Sequence, residues 1–122
     1  MLGDNFYGEM PDGANSHRWI KQFEQMCSSS SFPGSVYPVL GNHDYERFRG
    51  NKVEAQLAYS CRSTRWTMSN RWYTVQVPRT DPLLTLICLD SNIPGSKGFD
   101  PWPWSFVMTR QEHEEQKRWL EE

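Results

Sequence analysis

Two short stretches gather the side chains that could do chemistry. Gly3-Asp4-Asn5-Phe6-Tyr7 offers a carboxylate, an amide and a phenol, and Gly41-Asn42-His43-Asp44-Tyr45 offers an amide, an imidazole and a second carboxylate. Hard oxygen donors with an imidazole suit iron, manganese or zinc better than they suit a soft thiolate site. A carboxylate can bridge two such ions. Because His43 follows Asn42 directly, one residue can hold an ion while the next points at a leaving oxygen as a general acid, with Asp44 as the candidate to orient it. Each stretch alone is an ordinary turn sequence; the signal lies in their pairing.

The elements around them read as α/β. The second stretch follows Val36-Tyr37-Pro38-Val39-Leu40, a short apolar run that predicts a strand. The first stands where a strand would just have ended, so both are strand-end loops, where α/β sheets place their sites. Residues 1–15 read as a long loop with a turn at Pro11-Asp12-Gly13. Asn15 or Ser16 can cap a helix whose Trp19, Phe23, Met26 and Cys27 share a face expected to lie against a sheet. Residues 51–59 predict one or two helical turns, with Val53, Leu57 and Ala58 at inward spacing. Residues 72–77 alternate, with Tyr73, Val75 and Val77 on one side, as in a half-buried strand. Residues 83–89 are almost continuously apolar, which predicts a strand covered on both faces. Asp90 reads as a cap on nearby loop N–H groups and not as a ligand. The long irregular stretch after it, with Pro94-Gly95 and Pro101-Trp102-Pro103-Trp104, predicts a loop whose tryptophans pack onto the core. Thr109 and Glu112 form a capping-box pattern opening a charged surface helix anchored by Trp119 and Leu120.

With these residues in view, the chain resembles the calcineurin-like metallophosphoesterases, and Tyr7 makes it resemble specifically a purple acid phosphatase of the tartrate-resistant type. The similarity runs on through Gly50-Asn51, Ala55-Gln56, Tyr59, Arg65-Trp66 and Tyr73 to Leu89-Asp90-Ser91. The resemblance implies that Asp4 bridges two metals, Tyr7 is a phenolate on Fe(III), and Asn42 is an amide ligand of a divalent ion (Fe, Zn or Mn). It makes His43 the residue that contacts phosphate and aids the leaving group of a small phosphorylated substrate. A tyrosine with an ordinary pKa near 10 needs a strongly acidic ion such as ferric iron to serve as a ligand near neutral pH. The implied fold is a four-layer α-β-β-α sandwich of which this chain is an internal piece, truncated at both ends. The family's earlier Asp and Asp-x-His block, its later His-bearing block and its Gly-His-x-His block have no counterpart. His17 and His113 stand in no matching context and receive no metal role. The expectation is therefore an acid phosphatase parent, with this chain inactive or weakly active. The alternatives are a non-catalytic product that binds metal or protein only, and a phosphodiesterase of the same superfamily, against which Tyr7 counts. Edge strands left unpaired would be sticky.

Composition narrows the classes. The 122 residues carry 13 Lys+Arg against 15 Asp+Glu, a formal charge of -2, which argues against a nucleic-acid partner held on a basic face. Mean hydropathy is -0.77, polar for a folded domain, yet six tryptophans and 14% aromatics predict an aromatic core in a single domain. No run approaches the roughly 18 apolar residues of a membrane span, so the chain reads as soluble without a membrane partner. Cys27, Cys61 and Cys88 suggest neither a disulfide framework nor a zinc site, leaving one disulfide plus a free thiol open. No signal peptide opens the sequence, and export, if it applies, belongs to the parent. Compartment and oligomeric state stay open.

Overall fold

The structure is a computed structural model that describes residues 1–46, 51–93 and 107–122. Gly50 and the 94–106 stretch with Trp102 and Trp104 lie outside the described residues. The elements are helix α1 (Lys52–Ser60), strands β1 (Tyr73–Val77) and β2 (Leu84–Cys88), and helix α2 (Arg110–Glu121), preceded by short helical turns at Gly13–Asn15, Ile20–Glu24 and Asn42–Tyr45. This mixture is compatible with an α/β class. Among the described residues no helix is long and apolar enough to cross a membrane.

An aromatic cluster forms the core. Trp19 stacks on Tyr59 with centroids 3.8 Å apart, while Phe6, Phe23 and Trp66 meet these rings at steep angles. Such edge-to-face pairs contribute about 0.5–1.5 kcal/mol each beyond their buried area. Phe6 lies between Asn5 and Tyr7, so its burial pins the first chemistry-bearing loop to the core. The segment carrying Trp19 and Phe23 packs on this cluster, not on a sheet. It is wound as a π-helix at Ile20–Glu24, with the Gln25 N–H donating to the Ile20 carbonyl at 2.9 Å. The wider turn rotates Met26 off the inward face and leaves it exposed, against the expectation from a 3.6-residue period.

The apolar run 36–40 does not form a laddered strand. It is extended and makes single parallel bridges, Val36 to Trp66 and Val39 to Leu2, because neither partner continues alongside it. Arg65 crosses beneath, donating to Glu24 at 2.8 Å and to the carbonyls of Phe32 and Cys27. The α1 helix is capped by Asn51, whose side chain accepts from the Glu54 N–H at 3.3 Å. Its inward face is Lys52, Val53, Ala55 and Gln56, whereas Ala58 faces out.

Strands β1 and β2 pair antiparallel, Tyr73 opposite Cys88 and Val77 opposite Leu84. The alternation of β1 holds, with Tyr73 buried and Thr74 and Gln76 exposed. Strand β2 departs from its reading as doubly covered, since Leu83 is 87% exposed and Leu84 and Ile87 are more than half exposed. Among the described residues the sheet has two strands, and only the face bearing Tyr73, Leu86 and Cys88 meets the core.

The capping box of α2 forms as expected, Thr109 and Glu112 exchanging side-chain to backbone bonds at 3.2 and 2.6 Å. Trp119 is half-buried, but Leu120 is exposed, so it does not anchor the helix. The tether is buried Gln116, whose amide accepts from the Asp90 N–H at 2.8 Å and donates to the Asp90 carbonyl at 2.9 Å. Asp90 is a cap, accepting from the Asn92 N–H at 2.9 Å and from the Tyr45 hydroxyl. All three cysteines are free.

Candidate functional site

The chain folds the two chemistry-bearing loops against each other. Gly3 and Asp4 both have positive φ, +84° and +50°, which turns the chain sharply and aims the Asp4 carboxylate at the second loop. There Gly41 leaves room for it, because a Cβ at this position would lie 2.1 Å from the Asp4 nitrogen and 2.2 Å from its Oδ1. Asp4 Oδ1 accepts from the His43 backbone N–H at 3.0 Å, and Oδ2 accepts from the Tyr7 hydroxyl at 3.0 Å. The Tyr7 and His43 rings lie 4.6 Å apart, and Asn42 opens the Asn42–Tyr45 turn beside them. Asp4, Tyr7, Asn42 and His43 therefore belong to one surface region. Arg18 fastens the first loop by donating to the Tyr7 carbonyl at 2.5 Å.

Asp44 organises this junction. Its Oδ2 accepts from the Gly41 and Asn5 N–H groups at 2.9 and 3.1 Å, and its Oδ1 accepts from the Phe6 N–H at 3.2 Å and the Gln56 amide at 2.9 Å. Burial nonetheless holds its carboxyl above the usual range, the four donors only partly offsetting desolvation. Asn5 completes the framework, donating to the Val39 carbonyl and to Gln56 at 2.8 and 2.9 Å.

Asp44 does not orient His43. The imidazole Nδ1 instead meets Glu46 Oε1 at 2.8 Å, and Glu46 Oε2 is paired with Lys52 Nζ at 2.5 Å. Asp44 is turned inward by its four donors, so its oxygens are already engaged away from the imidazole. Desolvation pushes the Glu46 carboxyl up, but the hydrogen bonds and charges of Lys52 and His43 outweigh it, and the net direction is below the ordinary range. Sequence reasoning missed both Glu46 and Lys52. A cue existed, because a lysine in the first turn of a helix opposes the helix dipole and so calls for an acidic partner in space.

The Tyr7 phenol is pushed above its ordinary value, first by donating to Asp4, then by desolvation and by the charges of Asp4 and Asp44. In this geometry it is a protonated donor. For a metal, the side chains present fit in type: carboxylate, phenol and amide oxygens on touching loops suit a hard cation. In number they fall short of a complete site, since among the described residues no group of three His, Cys, Asp or Glu converges as a metal site. A groove of about 900 Å³ lies elsewhere, lined by Ser35, Leu57, Cys61, Met68 and Arg79 among others, and includes none of the four residues.

Comparison with known proteins finds acid phosphatases. The chain is 38% identical over 93 residues to the tartrate-resistant acid phosphatase type 5 of Rattus norvegicus, covering 74% of this chain and 27% of that protein. It is 37% identical over 93 residues to the Homo sapiens protein of the same name, with the same coverage, and 39% identical over 72 residues to purple acid phosphatase 7 of Arabidopsis thaliana, covering 59% and 20%. The chain spans about a quarter of the length of these curated relatives. No family model and no solved structure matches it. The similarity is to a segment of the purple acid phosphatases.

Proposed function

We propose, from the similarity of this chain to a segment of the purple acid phosphatases, that it supplies two loops of a metal-dependent phosphomonoesterase of the acid phosphatase type. One observation carries the reading: the Asp4 carboxylate touches both the Tyr7 hydroxyl and the His43 backbone, which unites donors 39 residues apart. Asp4, Tyr7 and Asn42 are the residues that would hold Fe(III) and a divalent ion (Fe, Zn or Mn). When bound, such ions draw charge from a phosphoryl oxygen and acidify water. The chain's own residues do the rest. Asp4 fixes the first loop on the second, Tyr7 would hold the ferric ion as a phenolate with its proton passed to water, and His43 presents its imidazole to the departing alcohol as a general acid. The substrate is a small phosphorylated molecule, and the net charge of -2 argues against a nucleic acid held on a basic face. In the same reading the β1–β2 hairpin and the extended 36–40 segment belong to a four-layer α-β-β-α sandwich.

Titrating the 122-residue chain with ferric ions tests this. A visible phenolate-to-iron band is expected, absent from Tyr7→Phe and weakened in Asp4→Asn; a band that persists in Tyr7→Phe overturns the ligand assignment. With ferric and zinc ions together, weak turnover of p-nitrophenyl phosphate at most is expected, and none from Asp4→Asn. A second reading, a chain that binds a protein without hydrolysis, rests on the exposed apolar residues Leu83, Leu84 and Ile87. An iron band without turnover, together with association that Ile87→Thr abolishes, favours it.

A further inference from the structure

The reading of His43 as a proton donor leaves open what chooses the ring nitrogen that faces substrate. An imidazole has two nitrogens, and which one carries the proton in the neutral ring is set by the hydrogen bond the other makes. Here Nδ1 lies 2.8 Å from Glu46 Oε1. Glu46 is 7% exposed and Lys52 fully buried, while the His43 side chain is 37% exposed. A buried ion pair is therefore anchored behind an imidazole that reaches the surface. Such a pair loses much of its attraction to desolvation, so it is a poor device for stability alone and a good one for fixing direction. The charge on Lys52 keeps Glu46 ionised and acceptor-only, and the second Glu46 oxygen is committed to Lys52. The remaining oxygen then has one role, to accept the Nδ1 proton of His43.

We propose that Glu46, clamped by Lys52, is the positioning residue of His43: it holds the ring by Nδ1–H and makes Nε2 the atom that exchanges a proton with substrate. The clamp combines two elements. Glu46 leaves the Asn42–Tyr45 turn at its C-cap, and Lys52 is the first residue of α1, so folding α1 against the turn is what sets the ring. The functional meaning rests on the proposed phosphatase role of His43, but the geometry does not.

The test is the side-chain nitrogen NMR spectrum of the 122-residue chain, which reports which ring nitrogen carries the proton in the neutral imidazole. His43 is expected to be protonated at Nδ1. Glu46→Ala alone strands a buried ammonium and can unfold the chain, so the informative variant is Glu46→Ala with Lys52→Met, which removes both charges. In that variant, with a native-like amide spectrum, His43 is expected to shift to Nε2 protonation. Glu46→Gln with Lys52→Met retains an acceptor oxygen and is expected to restore the Nδ1–H form. Nε2 protonation in the unaltered chain, or retention of Nδ1–H in Glu46→Ala/Lys52→Met, overturns the proposal. This readout needs neither metal nor turnover, so failure of the iron band with the Nδ1–H form intact refutes the phosphatase reading alone.

Discussion

Asp44→Asn is the sharpest probe of how the two loops are held. Each carboxylate oxygen of Asp44 takes two donors: Oδ2 takes Gly41 and Asn5, and Oδ1 takes Phe6 and Gln56. An asparagine has one acceptor oxygen, so in either orientation its NH2 faces two N–H donors and two bonds are lost. Hydrogen bonds to a charged group contribute about 1.5–3 kcal/mol each, so the gross loss is about 3–6 kcal/mol. Burial already works against the charged form, and a neutral amide recovers part of that penalty, which brings the net expectation to about 3 kcal/mol. Small domains have about 5–15 kcal/mol in total, so this is a large fraction. With a urea slope of about 2 kcal/mol/M, the midpoint falls by about 1.5 M. Urea unfolding followed by the fluorescence of buried Trp19 and Trp66 measures it, with Asp81→Asn, at an exposed left-handed position, as a control expected within about 0.5 kcal/mol. A loss below about 1 kcal/mol for Asp44→Asn, on the same order as the control, refutes the argument that Asp44 clamps the loops.

Gly41→Ala puts a methyl 2.1 Å from the Asp4 nitrogen and should cost about 1–3 kcal/mol in the same assay, together with loss of the iron band, because the loops must part. The Tyr59 hydroxyl is raised to about 12, chiefly by desolvation and then by its hydrogen bond to Glu24. A folded value above the unfolded one means that its contribution is complete below about pH 10 and is lost as pH rises through about 12; unfolding midpoints between about pH 9 and 12 should fall less steeply in Tyr59→Phe, with Tyr45 and Tyr73 adding to the residual slope. Leu83→Lys, at a residue 87% exposed, should change stability by no more than about 0.5 kcal/mol while reducing any self-association seen by sedimentation.

Features encoded by neighbours in the chain are legible from residue identity and spacing alone. The Thr109–Glu112 capping box and the alternation of β1 each depend on residues within a few positions, and each forms. The capping role of Asp90 is legible for the same reason. Expectations fail where the answer depends on a partner far along the chain. Counting at 3.6 residues per turn places Met26 inward, but the packing of Trp19 and Phe23 against Trp66 goes with a π-turn that rotates it out. The apolar run 83–89 implies cover on two faces, yet apolarity reports only that cover is favourable, not which elements supply it.

The amino-acid sequence by itself determined the donor types at Asp4, Tyr7, Asn42 and His43, their order, and the likeness to a purple acid phosphatase segment, since all of these are read from residue identity and spacing. Tertiary structure decided that Asp44 braces the loops while Glu46 and Lys52 hold His43. The physical reason is that a carboxylate binds whichever donors folding brings within about 3 Å. That choice depends on how α1 and two turns close on one another, which no local spacing records.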